Sequence, residues 1–418
     1  MHYFDYVADE LYCEQVPVRR IAQEVGTPFY LYSHATLRRH FLAVQEAFPG
    51  TEHLVCYSAK ANTSQAILRL FADLGGGLDI VSGGELYRGL EAGFAPERIV
   101  YSGVGKRVDE IDYALESGIL QFNVESFQEL DLIDRRAAAR NTVAPVAIRV
   151  NPDVDPRTHP YISTGLKKNK FGINHRDAPE AYRHADRLPN VKVVGIDCHI
   201  GSQITEVQPF RDALKNLMDL IAGLRGEGIE IRNLDVGGGL GITYGDEQPP
   251  DPGEYARAVM DVMAGSGLRL ILEPGRVIVG NAGILVAAVL YRKRSEEKEF
   301  VITDAGMNDL LRPSLYQAYH EIRPVRRRRR PEIRADVVGP ICESSDFLAQ
   351  DREMPDFQPG ELLAVMSAGA YGFCMSSNYC SRPRVAEVMV KDDRFHVIRK
   401  RETLADLIRG ESLPPFVK

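Results

Sequence analysis

The sequence predicts an α/β protein built as a (β/α)8 barrel followed by a mostly β C-terminal domain. Three observations carry this. Between about His53 and Arg276, short apolar runs alternate with amphipathic stretches eight times over. After Arg276 the helical pattern becomes scarce, and strand-like runs separated by turns take its place. The residues with unusual chemistry fall at the C-terminal ends of the strand candidates, where barrel enzymes keep their active sites.

The strand candidates begin near Leu54, Leu78, Ile99, Gln121, Val146, Val191, Ile231 and Leu270. Between them the segments 63–74, 84–92, 108–116, 127–138, 209–224 and 252–264 have the spacing of amphipathic helices. This alternation suggests a closed barrel. An open doubly wound sheet is the alternative, but no strand is followed by GxGxxG opening a helix with an acidic residue about 20 positions later. Beyond the barrel, 284–290, 300–303, 336–338, 362–365, 384–390 and 395–398 read as strands. The expected division is a barrel over 26–276 and a β-rich domain over 277–418, which the N-terminal segment 1–25 is expected to join.

A chain of 418 residues is long for one domain. Its hydrophobic content of 44% is enough for a large core, and a net charge of -7 argues against a nucleic-acid binder. The six cysteines (Cys13, Cys56, Cys198, Cys342, Cys374 and Cys380) have no zinc-ligand spacing, so no metal is expected and a reducing compartment fits. The N-terminus carries Asp5, Asp9 and Glu10 and does not read as a signal peptide. The longest apolar stretch, 284–290, falls far short of the roughly 20 residues that span a bilayer. A soluble cytoplasmic protein is expected. The run Arg326–Arg330 reads as a solvated loop ended by Pro331.

Lys60 follows the first strand, Asp79 the second, and Arg149 and Asn151 the fifth. His199 to Ser202 follow the sixth, Gly237 to Gly241 the seventh, and Glu273-Pro274-Gly275-Arg276 the eighth. The glycine segment is expected to lie between a strand and a helix, where its backbone N–H groups can approach an anion closely. The loops after strands seven and eight form the frequent phosphate site of such barrels, and Ser202 could add a hydroxyl donor. A lysine across the mouth from a phosphate site suits a cofactor with both a phosphate and an aldehyde, the first as anchor and the second as Schiff-base partner. That describes pyridoxal 5'-phosphate (PLP). Glu273 would keep the pyridine nitrogen protonated, so that the ring draws electrons from the substrate α-carbon. His199 could pack on the ring. Asp79 could orient Lys60 or His199, or cap the next helix.

These motifs (Tyr57-Ser58-Ala59-Lys60-Ala61-Asn62, His199-Ile200-Gly201-Ser202-Gln203, Gly237-Gly238-Gly239-Leu240-Gly241 and Glu273-Pro274-Gly275-Arg276) resemble the alanine-racemase-like, fold type III PLP family. The resemblance is to its amino-acid decarboxylase branch. Further segments match the members acting on diaminopimelate. They are Ser163-Thr164-Gly165-Leu166 with Lys170-Phe171-Gly172-Ile173, Met307 to Tyr316, Cys342-Glu343-Ser344-Ser345-Asp346, and Gly369-Ala370-Tyr371-Gly372. The match runs from about residue 25 to about 390.

The resemblance implies that Lys60 forms the Schiff base and that Gly238, Gly239, Ser202 and the 273–276 loop hold the phosphate. Glu273 would face the ring nitrogen and His199 the ring, with Asp79 and Arg149 supporting the cofactor site. Arg276, Arg312 and Tyr316 would hold the carboxylate at the unreacting end of the substrate. Glu343 would pair with the distal amine, and Tyr371 would lie near substrate and cofactor. Cys342 would donate the proton. The Cys-Glu pair would reach into the partner subunit's site, making an obligate homodimer with shared active sites.

The implied reaction is decarboxylation of meso-2,6-diaminopimelate to L-lysine and CO2, the last step of lysine biosynthesis. A substrate with an amine and a carboxylate at each end needs an acid and a bidentate cation at the far end. A diamine precursor such as ornithine would leave Arg276 and Arg312 without a carboxylate, and such sites reject analogues by roughly 10⁴–10⁵-fold. The alternatives are a related decarboxylase acting on a basic amino acid or carboxynorspermidine, a racemase, and a non-catalytic homologue. Racemase relatives place an arginine at the ring nitrogen, from which Glu273 departs. A non-catalytic homologue would be expected to have lost Lys60 or Cys342.

Overall fold

The computed structural model describes residues 2–154 and 170–417. The Ser163-Thr164-Gly165-Leu166 motif lies outside the described residues. The chain forms two compact units, one comprising Arg38–Ile278 and the other Met1–Leu37 with Val279–Lys418.

The first unit is a closed parallel barrel. Its strands are His53–Ser58, Gly77–Ile80, Ile99–Tyr101, Gln121–Val124, Ala144–Asn151, Val191–Asp197, Asn233–Asp235 and Arg269–Leu272. Neighbours in the chain pair in parallel all the way round, and Leu270 pairs with His53 to close the ring. All eight expected strands are present; the seventh starts at Asn233 rather than Ile231 because Arg232 is still in the approach loop. The helices Gln65–Asp73, Gly83–Ala92, Val108–Ser117, Phe127–Ala138, Gln208–Gly226 and Pro252–Met263 stand where the spacing places them. A further helix, Ala178–Arg187, was not read from the sequence; it buries only Ala178, Ala181, Tyr182 and Ala185, so its apolar stripe is mostly alanine and faint.

Side chains alternate across a strand, so every second residue points into the barrel. Leu54, Cys56, Val100 and Ile271 meet as an apolar cluster. One step of the same parity toward the C-terminal ends, the side chains turn polar: Ser58 after Cys56, Ser102 after Val100 and Glu273 after Ile271. Gln121 and Asn123, Asn233 and Asp235 continue that polar layer, with Asn233 Nδ2 donating to Gln121 Oε1 at 2.8 Å. Tyr57, of opposite parity, packs its ring 4.6 Å from that of Phe71 on the helix that follows.

The second unit is built on a mixed sheet whose longest strand is Gly283–Arg294. Phe29–Ser33 from the N-terminal segment lies between that strand and Ala386–Lys391, antiparallel to the first and parallel to the second. Glu299–Thr303, Glu332–Val338 and Phe347–Pro355 continue the sheet on the other side. The arginine run does more than meet solvent. Arg327 lies 3.6 Å over the Tyr6 ring, and Arg328 and Arg330 both pair with Glu361. Among the described residues no helix is long and apolar enough to cross a membrane.

Ile271 is fully buried within the apolar cluster inside the barrel. Ile271→Ala is expected to lower unfolding stability by about 2–5 kcal/mol, read from the denaturant midpoint.

Candidate active site

Lys60 sits in a single 3-10 turn, Ala59–Ala61, directly after the first barrel strand. Its Nζ donates to Asp79 Oδ2 at 2.7 Å, and Ser58 Oγ donates to the same oxygen at 2.6 Å. Asp79 is fully buried, whereas the lysine side chain is 38% exposed, so the amine is presented at the barrel mouth on a buried anchor. Asp79 does not cap the next helix; Ser82 does, accepting from the Glu85 N–H.

The glycine segment differs from expectation in one respect. It does not open a helix, since the next one begins only at Pro252. Its glycines are required by close approach instead. A Cβ on Gly238 would fall 2.3 Å from the Glu273 carbonyl oxygen, and one on Gly239, at φ +114, would fall 2.5 Å from that of Gly201. The Glu273 N–H donates to the Gly237 carbonyl at 2.8 Å, locking the loops after strands seven and eight together. Arg276 begins a four-residue helix right after Glu273-Pro274-Gly275. Its guanidinium reaches Ser202 Oγ at 3.1 Å and the Tyr244 hydroxyl at 2.5 Å.

His199 has a defined proton arrangement. The Gly238 N–H donates to its Nδ1 at 3.2 Å, so Nδ1 is bare and the neutral ring carries its hydrogen on Nε2. Burial, with the Arg149 and Lys60 cations nearby, holds this imidazole well below its usual pKa. Arg149 donates to Glu125 Oε1 at 2.7 Å and lies 4.9 Å over the Phe171 ring. Glu125 Oε2 also accepts from the Gly172 N–H at 2.7 Å, tying the Lys170 to Ile173 motif to the fourth strand.

Glu273 belongs to a buried carboxylate group that sequence reasoning missed. Its Oε1 accepts from Ser102 Oγ and Asn123 Nδ2, both at 3.2 Å. The same Asn123 nitrogen lies 3.2 Å from Asp235 Oδ2, and Asp235 Oδ1 accepts from the Gly237 N–H at 3.0 Å. Burial pushes Glu273 well above the usual carboxylate range, helped by Asp235, Asp79 and Asp197 and opposed by Lys60. Burial pushes Asp235 up to about 6, and Asp197 well up. Burial among these acids therefore biases Glu273 toward its protonated form. The signal that could have found Asp197, Asp235 and Asn123 was there: each is a polar residue of inward parity on a buried strand.

The second unit places the remaining candidates on its own framework. Arg312 heads the short helix Arg312–Tyr316, which ends at Gln317 in the left-handed region. Ser314 Oγ donates to the Ser345 carbonyl at 2.6 Å, joining this helix to the Cys342–Asp346 loop. Asp346 holds that loop, accepting from the Met307 and Ile341 N–H groups, each at 2.6 Å. Cys342 and Glu343 are both exposed in this single chain, and all six cysteines are free thiols. Hydrogen bonds from Ser345 and Tyr379 hold the Glu343 carboxyl below its usual pKa. Tyr371 adopts φ +55, an uncommon backbone for a tyrosine.

The barrel mouth thus combines an anchored amine, a neutral imidazole, a buried proton-holding carboxyl and a glycine cradle. The family described as pyridoxal-dependent decarboxylase, pyridoxal binding domain, matches residues 34–280. Fold and site together define a PLP-dependent decarboxylase. The diaminopimelate decarboxylase of Pseudomonas aeruginosa is 52% identical over 415 residues, covering 99% of this chain and 100% of that protein. The Helicobacter pylori enzyme of that name, crystallised with L-lysine, superposes with a TM-score of 0.91 at 45% identity over 94% of this chain and 98% of its own. The M. jannaschii enzyme, also in complex with L-lysine, gives 0.95 at 39% identity with both chains covered completely. This chain belongs to the diaminopimelate decarboxylase family.

PLP fits the residues present. The Gly237-Gly238-Gly239 backbone, with no side chain over its N–H groups, suits a phosphate, the Lys60 amine suits an aldehyde, and a buried carboxyl biased toward its protonated form suits a basic ring nitrogen.

The raised Asp235 pKa has a stability consequence. An acid whose folded pKa lies above its unfolded value stabilises the fold fully below the unfolded pKa. That contribution is lost as pH rises from about 4 to about 6. Asp235→Asn removes the titration while keeping an acceptor for the Gly237 N–H. Thermal unfolding of the cofactor-free protein should show the variant gaining on the parent across that window by on the order of 3 kcal/mol.

Proposed function

We propose that this chain uses PLP to decarboxylate meso-2,6-diaminopimelate to L-lysine and CO2, the last step of lysine biosynthesis, as a cytoplasmic homodimer. The observation that carries the reading is the Lys60 amine anchored on buried Asp79, in a chain alike from end to end to diaminopimelate decarboxylases.

The barrel residues hold the cofactor. The Gly238 and Gly239 backbone and the Ser202 hydroxyl take the phosphate, with Pro274, Gly275 and Arg276 forming the adjoining loop. Glu273 faces the ring nitrogen with a proton available, and Asp235 and Asn123 hold Glu273 in place. His199 lies against the ring as a neutral imidazole, which avoids setting a cation beside a protonated ring. Arg149 compensates the carboxylate-rich floor. Lys60 is the residue that bonds the aldehyde, and Asp79 orients its amine. Bound PLP supplies an electron-withdrawing ring that accepts the electron pair left on the substrate α-carbon as CO2 departs.

Arg276, Arg312 and Tyr316 bind the carboxylate that is not lost, and Glu343 binds the distal amine. Both signs are needed because the far end of the substrate carries both charges. Tyr371 contacts substrate and cofactor. Cys342 delivers the proton to the α-carbon. The exposure of Cys342 and Glu343 on the single protomer supports a role in the site of a second subunit.

CO2 release should be seen with meso-diaminopimelate and not with ornithine or arginine; equal rates on all three would reject the substrate assignment. Lys60→Ala should lose turnover by more than about 10³-fold together with the imine absorbance. Mixing inactive Lys60→Ala with inactive Cys342→Ala should restore about a quarter of the parent activity if sites are shared between identical subunits. No recovery in a mixed dimer would exclude sharing.

A further inference from the structure

Arg312 is held by a histidine that no motif singled out. His320 is fully buried at 0% exposure, in a position where both ring nitrogens are engaged. Nδ1 lies 2.8 Å from the Met366 carbonyl oxygen, which can only accept, so Nδ1 carries the hydrogen. Arg312 Nε lies 3.3 Å from Nε2. A guanidinium only donates and keeps its proton, so Nε2 must be the bare acceptor. The two contacts together allow one neutral tautomer and no imidazolium, which would set a donor against a donor and a cation against a cation.

The imidazole is itself firmly placed. The Met366 N–H donates to the Glu321 carbonyl at 2.8 Å, and Ile322–Pro324 pairs with Leu362–Val365 immediately alongside. The His320 carbonyl accepts from Arg352 at 2.9 Å. A sheet edge therefore fixes Met366 and His320, and His320 fixes Arg312. Arginine is a long side chain with many rotamers, so a contact at Nε selects among them before any ligand arrives. With Nε engaged, recognition of a carboxylate falls to the Nη1–Nη2 edge, the end-on bidentate arrangement.

We propose that His320 is a positioning residue that sets Arg312 for the retained carboxylate of the substrate, and so contributes to selection of a substrate with two carboxylates. This rests on the reading that Arg312 binds that carboxylate. A histidine that merely fills the core would affect every ligand alike, whereas a positioning histidine affects only ligands carrying the retained carboxylate.

Two competitive ligands separate these cases. Because a meso substrate yields L-lysine, L-lysine keeps the retained carboxylate; 1,5-diaminopentane has the same chain and both amines but no carboxylate. In the holoenzyme, His320→Ala should raise KM for meso-diaminopimelate and Ki for L-lysine by about 10–100-fold, the range for a lost hydrogen bond to a charged group. It should leave Ki for 1,5-diaminopentane within about 2-fold and kcat within about 3-fold, below the loss of even one such bond. His320→Gln places an amide oxygen where Nε2 was and should recover most of the loss. It is also the variant to rely on should the alanine protein fail to fold. Glutamine with no better values than alanine, or both inhibitors weakened equally, overturns the proposal. Arg312→Lys tests the reading beneath it. If that change weakens both inhibitors equally, the Arg312 assignment fails; if it weakens only L-lysine while His320→Ala weakens neither, the histidine proposal alone fails.

Discussion

The constraint on which the site depends is an excess of buried negative charge inside the barrel. Asp79, Asp197, Asp235 and Glu273 converge from strands two, six, seven and eight, with Glu125 beside them. The cations among them are Lys60 and Arg149. Burying an unpaired carboxylate costs far more than keeping its proton, so the surplus is met by protonation. Burial and the acids around them push both Glu273 and Asp197 well above the usual carboxylate range. A buried carboxyl biased toward its protonated form can share a proton with a basic ring nitrogen away from water. The same surplus explains why Lys60 is pinned to Asp79, and why Arg149 stays charged although burial opposes it, with Glu125 foremost in holding its proton.

Hydrogen bonding turns this charge arrangement into geometry. Asp235 ties the carboxyl group to the glycine segment through the Gly237 N–H, and Gly238 ties that segment to His199. The glycine segment, the His199 imidazole and the Glu273 carboxyl are thus one network rather than three separate motifs. Such networks favour one arrangement because each partly satisfied alternative leaves a buried polar atom without a partner. The barrel strands add rigidity, since Ser58, Ser102 and Glu273 each stand one parity step above an apolar side chain of the interior cluster.

The second unit works by a different principle. Its candidates lie on short helices and loops, and their order comes from specific anchors: Asp346 for the Cys342 loop, Ser314 for the helix of Arg312, and His320 for Arg312 itself. Among the buried acids here, Asp309 is pushed up to about 7 by burial and caps the Gly306 turn. Loops suit groups that must meet a substrate of particular length and charge, whereas barrel strands suit a cofactor that never changes.

Much of this was legible from the sequence for local reasons. Strand and helix positions follow from apolar periodicity, so the eight strands and six of the helices between and after them could be located without coordinates. Lys60, His199, Glu273 and the glycine segment could be singled out because they share one register at the C-terminal strand ends, although each alone has a commoner explanation. Ala178–Arg187 was not, since an alanine stripe carries little hydrophobic signal. Asp235, Asn123 and His320 were not either. Asp235 and Asn123 act through side chains brought from distant strands, and His320 acts through a carbonyl and a guanidinium whose approach depends on sheet pairing. The sequence alone therefore determined which groups the protein has and on which strand ends they stand. Closure of the barrel and pairing of the sheet decided which of them touch, and through burial which of them hold protons, because both depend on distances between residues far apart in the chain.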